Sequence, residues 1–289
     1  MSPAPMTIGG RRFEWGLRTY VMGILNSTPD SFSGDGLAAD GDPVSRAVAR
    51  ARAMVEEGAD LLDIGGESTR PGHVPVDATA EIARVVPVIA AVRAALPGIP
   101  LSVDTSKPEV AAAALDAGAD LLNDVRGTRS DPGMAELAAA SGIPLLLMHG
   151  RDRADHVDVV AEVVAELRAA LERATRVGVG PDRLIVDPGI GFGKTADDNV
   201  RLLRELGALR ALGRPILLGT SRKSTLGRIL DLPADQRLEA TLATTALGIA
   251  AGVDLVRVHD VGANVRAARV SDAIVRGHWR DQPTEGGVL

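Results

Sequence analysis

Short apolar runs that end in a polar or ionisable residue recur eight times along the chain, at 20–26, 61–63, 101–104, 121–123, 145–149, 184–187, 216–221 and 255–259. Seven helix-like stretches separate them. Alternating strand and helix implies a parallel sheet, because each strand must be carried back over the sheet before the next can start. Eight repeats is the number that closes such a sheet into a barrel, with every strand end facing one mouth. The expected fold class is therefore α/β, a single (β/α)₈ TIM barrel. A doubly wound open sheet is the rival, but polar residues at nearly every strand end favour the barrel.

Punctuation between the runs supports this order. Asp42 can cap a helix whose first position is Pro43 and whose end is marked by Gly58, which predicts a helix over 43–57. Lys107-Pro108 with Gly118, and Asp131-Pro132 with Gly142, bracket two more. Residues 1–18 read as a preface, a hairpin turning at Gly9-Gly10 that would cover the closed end of a barrel spanning 19–280. Residues 281–289 are expected to form a disordered tail. The two longest top loops, 27–42 and 65–78, are rich in Gly, Ser, Pro and Asp and are expected to act as lids.

Composition narrows the function. The 289 residues are 45% apolar and 24% charged, enough for one sizeable core. With no cysteine, disulfides, thiolate zinc sites and cysteine nucleophiles are excluded. A net charge of −6 without a dense basic tract argues against a nucleic-acid partner. No apolar stretch approaches the ~18 residues of a membrane span. Met1–Gly10 has no basic region followed by a long apolar segment, so a cytoplasmic protein is expected.

Some motifs fail on inspection. Gly189-Ile190-Gly191-Phe192-Gly193-Lys194-Thr195 is one residue short of a phosphate-binding P-loop. Gly219-Thr220-Ser221 lacks the closing glycine of a nucleophile elbow.

Others hold. Asn26 ends the first run, where its amide oxygen could meet Mg²⁺ beside a phosphate. Asp104, Asn123 and Asp187 end three more; carboxylate acceptors and an amide suit a flat heterocycle bearing several N–H groups, and a sugar-like or nucleobase-like ligand would also fit them. Ser221-Arg222-Lys223 and Arg257-Val258-His259 bring cations to the loops after the seventh and eighth strands, where barrels often bind phosphate. Arg257 and His259 are two apart and so share a face. An inward arginine needs a ligand or a carboxylate partner, and an internal Arg257–Asp104 pair is the plain structural alternative.

Several of these motifs, taken together and in order, resemble the dihydropteroate synthase family: Met22-Gly23-Ile24-Leu25-Asn26 with Thr28-Pro29-Asp30-Ser31-Phe32-Ser33, Asp63-Ile64-Gly65-Gly66-Glu67-Ser68-Thr69-Arg70-Pro71-Gly72, Asp187 to Thr195, Ser221-Arg222-Lys223 and Arg257 to Asp260. The resemblance runs from about Tyr20 to Gly277. It implies a transferase of folate biosynthesis that condenses hydroxymethyl-dihydropterin diphosphate with 4-aminobenzoate, giving dihydropteroate and pyrophosphate by a dissociative substitution.

By the same resemblance, Asp104, Asn123, Met148, Asp187, Gly219, Lys223 and Arg257 would bind pterin. Asn26, Thr69, Arg70, Arg257 and His259 would hold the diphosphate, with Asn26 the ligand to Mg²⁺. Phe32, Thr69, Pro71, Phe192, Ser221 and Lys223 would form the 4-aminobenzoate site. Asp104, Lys223, Arg257 and Asn26 would carry the catalysis, and the family implies a homodimer formed through helices late in the chain. The chain departs from the family's usual form at Gly34-Asp35-Gly36, at Arg126-Gly127-Thr128 and in the short loop after Gly150. Rival readings are a methyltetrahydrofolate-dependent methyltransferase, which needs no diphosphate site, a silent paralogue that binds pterin or stabilises a partner, and, most broadly, an unrelated phosphate-binding barrel enzyme.

Overall fold

The computed structural model describes residues 2–27, 42–67, 76–127 and 132–277. The expected ligands Phe32, Thr69, Arg70 and Pro71, most of both expected lids and the expected tail lie outside the described residues.

A hairpin opens the chain: β1 (Met6–Ile8) pairs antiparallel with β2 (Arg11–Phe13). Gly9 and Gly10 make its turn with φ of 55° and 80°, a region that glycine enters without steric penalty. The barrel follows as β3 (Tyr20–Asn26), α1 (Pro43–Glu56), β4 (Leu61–Gly65), α2 (Ala78–Ala95), β5 (Leu101–Asp104), α3 (Pro108–Asp116), β6 (Leu121–Asp124), α4 (Gly133–Ser141), β7 (Leu145–Met148), α5 (Val159–Arg176), β8 (Leu184–Asp187), α6 (Ala196–Arg204), β9 (Leu217–Leu218), α7 (Ser224–Leu230), α8 (Leu238–Ala251), β10 (Leu255–Val258) and α9 (Val261–Arg276).

Every neighbouring pair of barrel strands is parallel, in the order β8-β7-β6-β5-β4-β3-β10-β9. A parallel bridge between Val186 and Ile216 joins the two ends and closes the sheet. The expected barrel is thus the observed one, with one addition: two helices, α7 and α8, lie between β9 and β10.

Helix starts follow the local chemistry. Asp42 accepts from Val44 N at 3.0 Å and Ser45 N at 3.2 Å, Pro43 takes the first turn, and Ala47, Ala51 and Met54 turn inward at helical spacing. The core has two compartments. One lies between the sheet and the helices, where residues such as Ile64, Val103, Leu122 and Val186 meet Val85, Val110 and Val163. The other fills the barrel with Met22, Leu61, Leu121, Leu146, Ile185, Leu217 and Leu255. Phe13, Trp15 and Tyr20 close its lower end with ring centroids 4.7–5.4 Å apart, so the N-terminal segment covers the closed end as expected.

Candidate active site

Along each strand the side chains alternate, so the residues two steps above the buried apolar layer face the mouth. The register places Asp104 beside Asn123, Asp187 beside Met148, and Arg257 beside Met22. Asp104, Asn123, Met148, Asp187 and Ser221 are all buried there. Residues separated by more than a hundred positions in sequence are therefore brought together, as the strand-end pattern implied.

Arg257 lies at the centre of the arrangement. Its Nε donates to Asp63 Oδ2 at 2.5 Å and one terminal nitrogen donates to Asp104 Oδ2 at 2.6 Å. The internal pair weighed from sequence is present, and a second carboxylate, Asp63, shares it. Both carboxylates are drawn to the guanidinium because a largely buried cation is costly without a counter-ion. Burial opposes the charge of Arg257, but Asp63 and Asp104 outweigh it and hold the group above its usual range. Burial pushes the Asp104 carboxyl up to about 7, against the pull of Arg257.

Lys223 and Asp187 form the second charged element. Burial draws Lys223 down to about 8 while Asp187 pulls it back, and burial likewise raises Asp187 against the pull of Lys223. Lys223 Nζ donates to the carbonyl of Ile190 and lies 4.5 Å from the centre of the Phe192 ring. A lysine over an aromatic face is a cation–π contact, and it fixes both side chains of the expected 4-aminobenzoate site. The turn before Lys223 is clamped: Arg222, at the left-handed φ of 57°, donates to both oxygens of Asp260 at 2.5 and 3.0 Å. Ser221 Oγ lies 3.0 Å from His259 Nδ1 and accepts from His259 N at 3.1 Å, which locks the two expected anion contacts together. Gly219 lies between Asp187 and Arg257: a Cβ there would come within 3.8 Å of Asp187 Oδ2 and 3.9 Å of Arg257 Cβ.

The glycine-rich loop that failed as a P-loop is a rigid wall of this site. Gly189, Gly191 and Gly193 take φ of 66°, 84° and 59°. Asp187 accepts from Gly189 N and Asn199 from Gly191 N, both at 2.7 Å. Lys194 Nζ donates to the carbonyls of Gly189 at 2.9 Å and Phe192 at 3.0 Å, and lies 2.9 Å from His149 Nδ1. Burial lowers Lys194 to about 7; burial, then the charge of Lys194, lowers His149 to about 3. The reading from sequence gave Lys194 and His149 no role. The signal was the lysine that follows three alternate glycines.

A cleft of about 730 Å³ opens beside this cluster, lined by Asp104, Thr105, Val125, Gly150 and Phe192 among others. On its rim Lys107 pairs with Glu67 and, at 2.5 Å, with Glu81. Asn26 ends β3 half-buried, next to Gly65 in the ladder. Among the described residues no group of three or more His, Cys, Asp or Glu could hold a metal ion. One amide oxygen fits a magnesium ion that keeps its waters and is shared with substrate phosphate, as this hard cation usually binds.

Fold and site together define a barrel enzyme that takes a planar, nitrogen-rich, anionic ligand at its C-terminal mouth. Comparison with known proteins narrows that class. The family model "Pterin binding enzyme" matches residues 22–259. The dihydropteroate synthase of Clostridium beijerinckii is 47% identical over 272 residues, covering 94% of this chain and 100% of that protein. Two solved structures of the Xanthomonas albilineans dihydropteroate synthase superpose closely. The complex with 4-aminobenzoic acid has a TM-score of 0.88 at 44% identity, covering 95% of this chain and 98% of that one. The complex with 7,8-dihydropteroate has a TM-score of 0.85 at 42% identity, covering 94% and 98%. The chain belongs to the pterin-binding enzyme family and, within it, to the dihydropteroate synthases.

Proposed function

We propose that this chain condenses hydroxymethyl-dihydropterin diphosphate with 4-aminobenzoate, as a transferase of folate biosynthesis. The observation that carries the reading is the cluster at the barrel mouth of buried Asp104, Asn123 and Asp187 with half-buried Arg257 and Lys223, held in register by five different strands and loops. Asp187, Asn123 and Asp104 supply acceptors for the N–H edge of a pterin, and Met148 an apolar wall. Arg257 and His259 face the diphosphate, and Lys223, Ser221 and Phe192 the arylamine.

Loss of the diphosphate leaves a methylene cation that the electron-rich ring can delocalise. The Asp104 carboxylate places a negative charge beside that cation, while Arg257 and His259 take up the charge that develops on the leaving group. The arylamine nitrogen attacks the methylene carbon and its proton passes to solvent or the departing diphosphate. No covalent bond to the protein is needed. Asn26 would hold a magnesium ion brought in with the diphosphate; that ion would supply further charge neutralisation to the leaving group.

A homodimer is supported by exposed apolar side chains on packed neighbouring helices, Leu247 of α8 at 70% exposure and Val270 and Ile274 of α9 at 62% and 78%. No helix among the described residues is long and apolar enough to cross a membrane. A cytoplasmic setting suits a sequence without cysteine.

Calorimetric titration with the pterin diphosphate, with and without Mg²⁺, tests the site assignments. Binding should strengthen with Mg²⁺ in the parent and lose that gain in Asn26→Ala. An equal gain in both would remove Asn26 from the metal role.

A further inference from the structure

Arg257 has two carboxylate partners, and they are not equivalent. Asp63 sits inside β4, paired in the ladder with Ile24 of β3 and Ser102 of β5, and its side chain is fully buried. A single oxygen, Oδ2, accepts from Arg257 Nε at 2.5 Å and from Asn123 Nδ2 at 3.1 Å, while Oδ1 is buried without a partner. Asp104 takes the other end of the same guanidinium, but its side chain keeps 8% exposure where that of Asp63 has none. Asp104 is thus open to the mouth, while Asp63 is enclosed by protein.

We propose that Asp63 is a positioning residue, a fixed counter-ion that holds Arg257 and Asn123 in place while Asp104 exchanges the guanidinium for the incoming ring. The inference rests on the reading that Arg257, Asp104 and Asn123 meet the pterin diphosphate. Its physical basis is the cost of an unpaired charge in a dry site. Were Asp104 the only partner, substrate binding would have to strip a buried guanidinium of its sole counter-ion. With Asp63 in place the exchange gives up one charge-assisted hydrogen bond and leaves the cation paired.

Asp63 also sets the orientation of Asn123. An ionised carboxylate only accepts, so the Asn123 amide must turn its NH₂ toward Asp63 and present its oxygen to ligand N–H groups. An asparagine at 63 would fill the same space without the charge, and, able to donate as well as accept, it would no longer dictate which way the Asn123 amide turns. The carboxylate bears an unsatisfied oxygen that packing alone would not require.

The test is a double-mutant cycle in the full chain, read by steady-state kinetics with both substrates. Asp63→Asn should lower kcat/KM for the pterin diphosphate by about thirtyfold or more, chiefly through KM, the size of effect found when one member of a buried charge pair is removed. KM for 4-aminobenzoate should stay within about twofold, because that site shares no partner with Asp63. In an Arg257→Ala background, Asp63→Asn should cost no more than about threefold further, since residues that act through one another are non-additive.

Should Asp63→Asn fail to fold, Asp104→Asn carries the test. Asp63 then keeps Arg257, so inhibition by inorganic pyrophosphate should stay within about threefold of the parent while the pterin KM rises. An unchanged pterin KM in Asp63→Asn, a full additional loss in the Arg257→Ala background, or a roughly tenfold weakening of pyrophosphate in Asp104→Asn overturns the proposal. Near-normal turnover by Arg257→Ala alone would instead remove the underlying site reading, so the two failures are distinguishable.

Discussion

Replacing Arg257 with alanine removes the cation that Asp63 and Asp104 share at 2.5 and 2.6 Å. Taking one partner out of a buried ion pair costs about 3–5 kcal/mol, because the remaining charge is stranded away from water. Two carboxylates are stranded here, so the loss should depend on pH. Asp104 is already raised to about 7 by burial, with Arg257 holding it down; without Arg257 it rises further. A carboxyl whose folded pKa lies above its unfolded value gives stability that is complete below the unfolded pKa and disappears as pH climbs through the folded one. Each unit of that climb costs up to about 1.4 kcal/mol for one group. Between roughly pH 5.5 and pH 8 the variant should therefore lose about 1–2 kcal/mol more than the parent does. Urea unfolding followed by circular dichroism at both pH values measures it. An Arg257→Ala deficit of the same size at both would refute the reasoning, since it would mean the stranded carboxylates are not what costs stability. Turnover should fall about a thousandfold at either pH, the scale of losing a preorganised charge at a developing anion.

Three further outcomes follow from the same geometry. The parent's kcat/KM should be bell-shaped in pH, with an acid limb near 7 as Asp104 loses its proton and an alkaline limb near 8 as Lys223 does; a flat profile from about pH 6 to pH 9 would contradict both roles. Lys194→Met should raise KM for 4-aminobenzoate roughly tenfold, the equivalent of one charge-assisted hydrogen bond, because Lys194 ties the carbonyls of Gly189 and Phe192; kinetics with the pterin diphosphate saturating checks it. Gly189→Ala should destabilise the fold by at least ~2 kcal/mol in thermal melts, since its φ is 66° and a Cβ would collide with the carbonyl of His149.

Much of the barrel was legible because its strands repeat a simple pattern. Buried parallel strands are continuous apolar runs, and Asp104, Asn123, Asp187 and Arg257 interrupt them where the mouth begins. Capping chemistry is local, so Asp42-Pro43 announced α1 and Gly9-Gly10 the hairpin turn. The role of Asp63 was not legible, although the residue stood in a recognised motif. The run seemed to end at Asp63, whereas β4 continues to Gly65 and leaves Asp63 inside the strand and fully buried. Which carboxylate Arg257 reaches depends on side-chain length across the barrel, and sequence spacing carries no such distance. Lys194 was hidden differently: its place after three alternate glycines was visible, but its partners are backbone carbonyls, which have no signature in residue identity. The extra helix α7 went unseen because at Ser224–Leu230 it is too short to show a period.

Pyrophosphate release from hydroxymethyl-dihydropterin diphosphate in the presence of Mg²⁺, followed together with dihydropteroate and with 4-aminobenzoate present or withheld, tests the central claim. Equal amounts of pyrophosphate and dihydropteroate, appearing only when 4-aminobenzoate is supplied, are the predicted result. A folded protein that binds the pterin diphosphate but forms no dihydropteroate would contradict it and mark the chain as a binding protein on the same barrel.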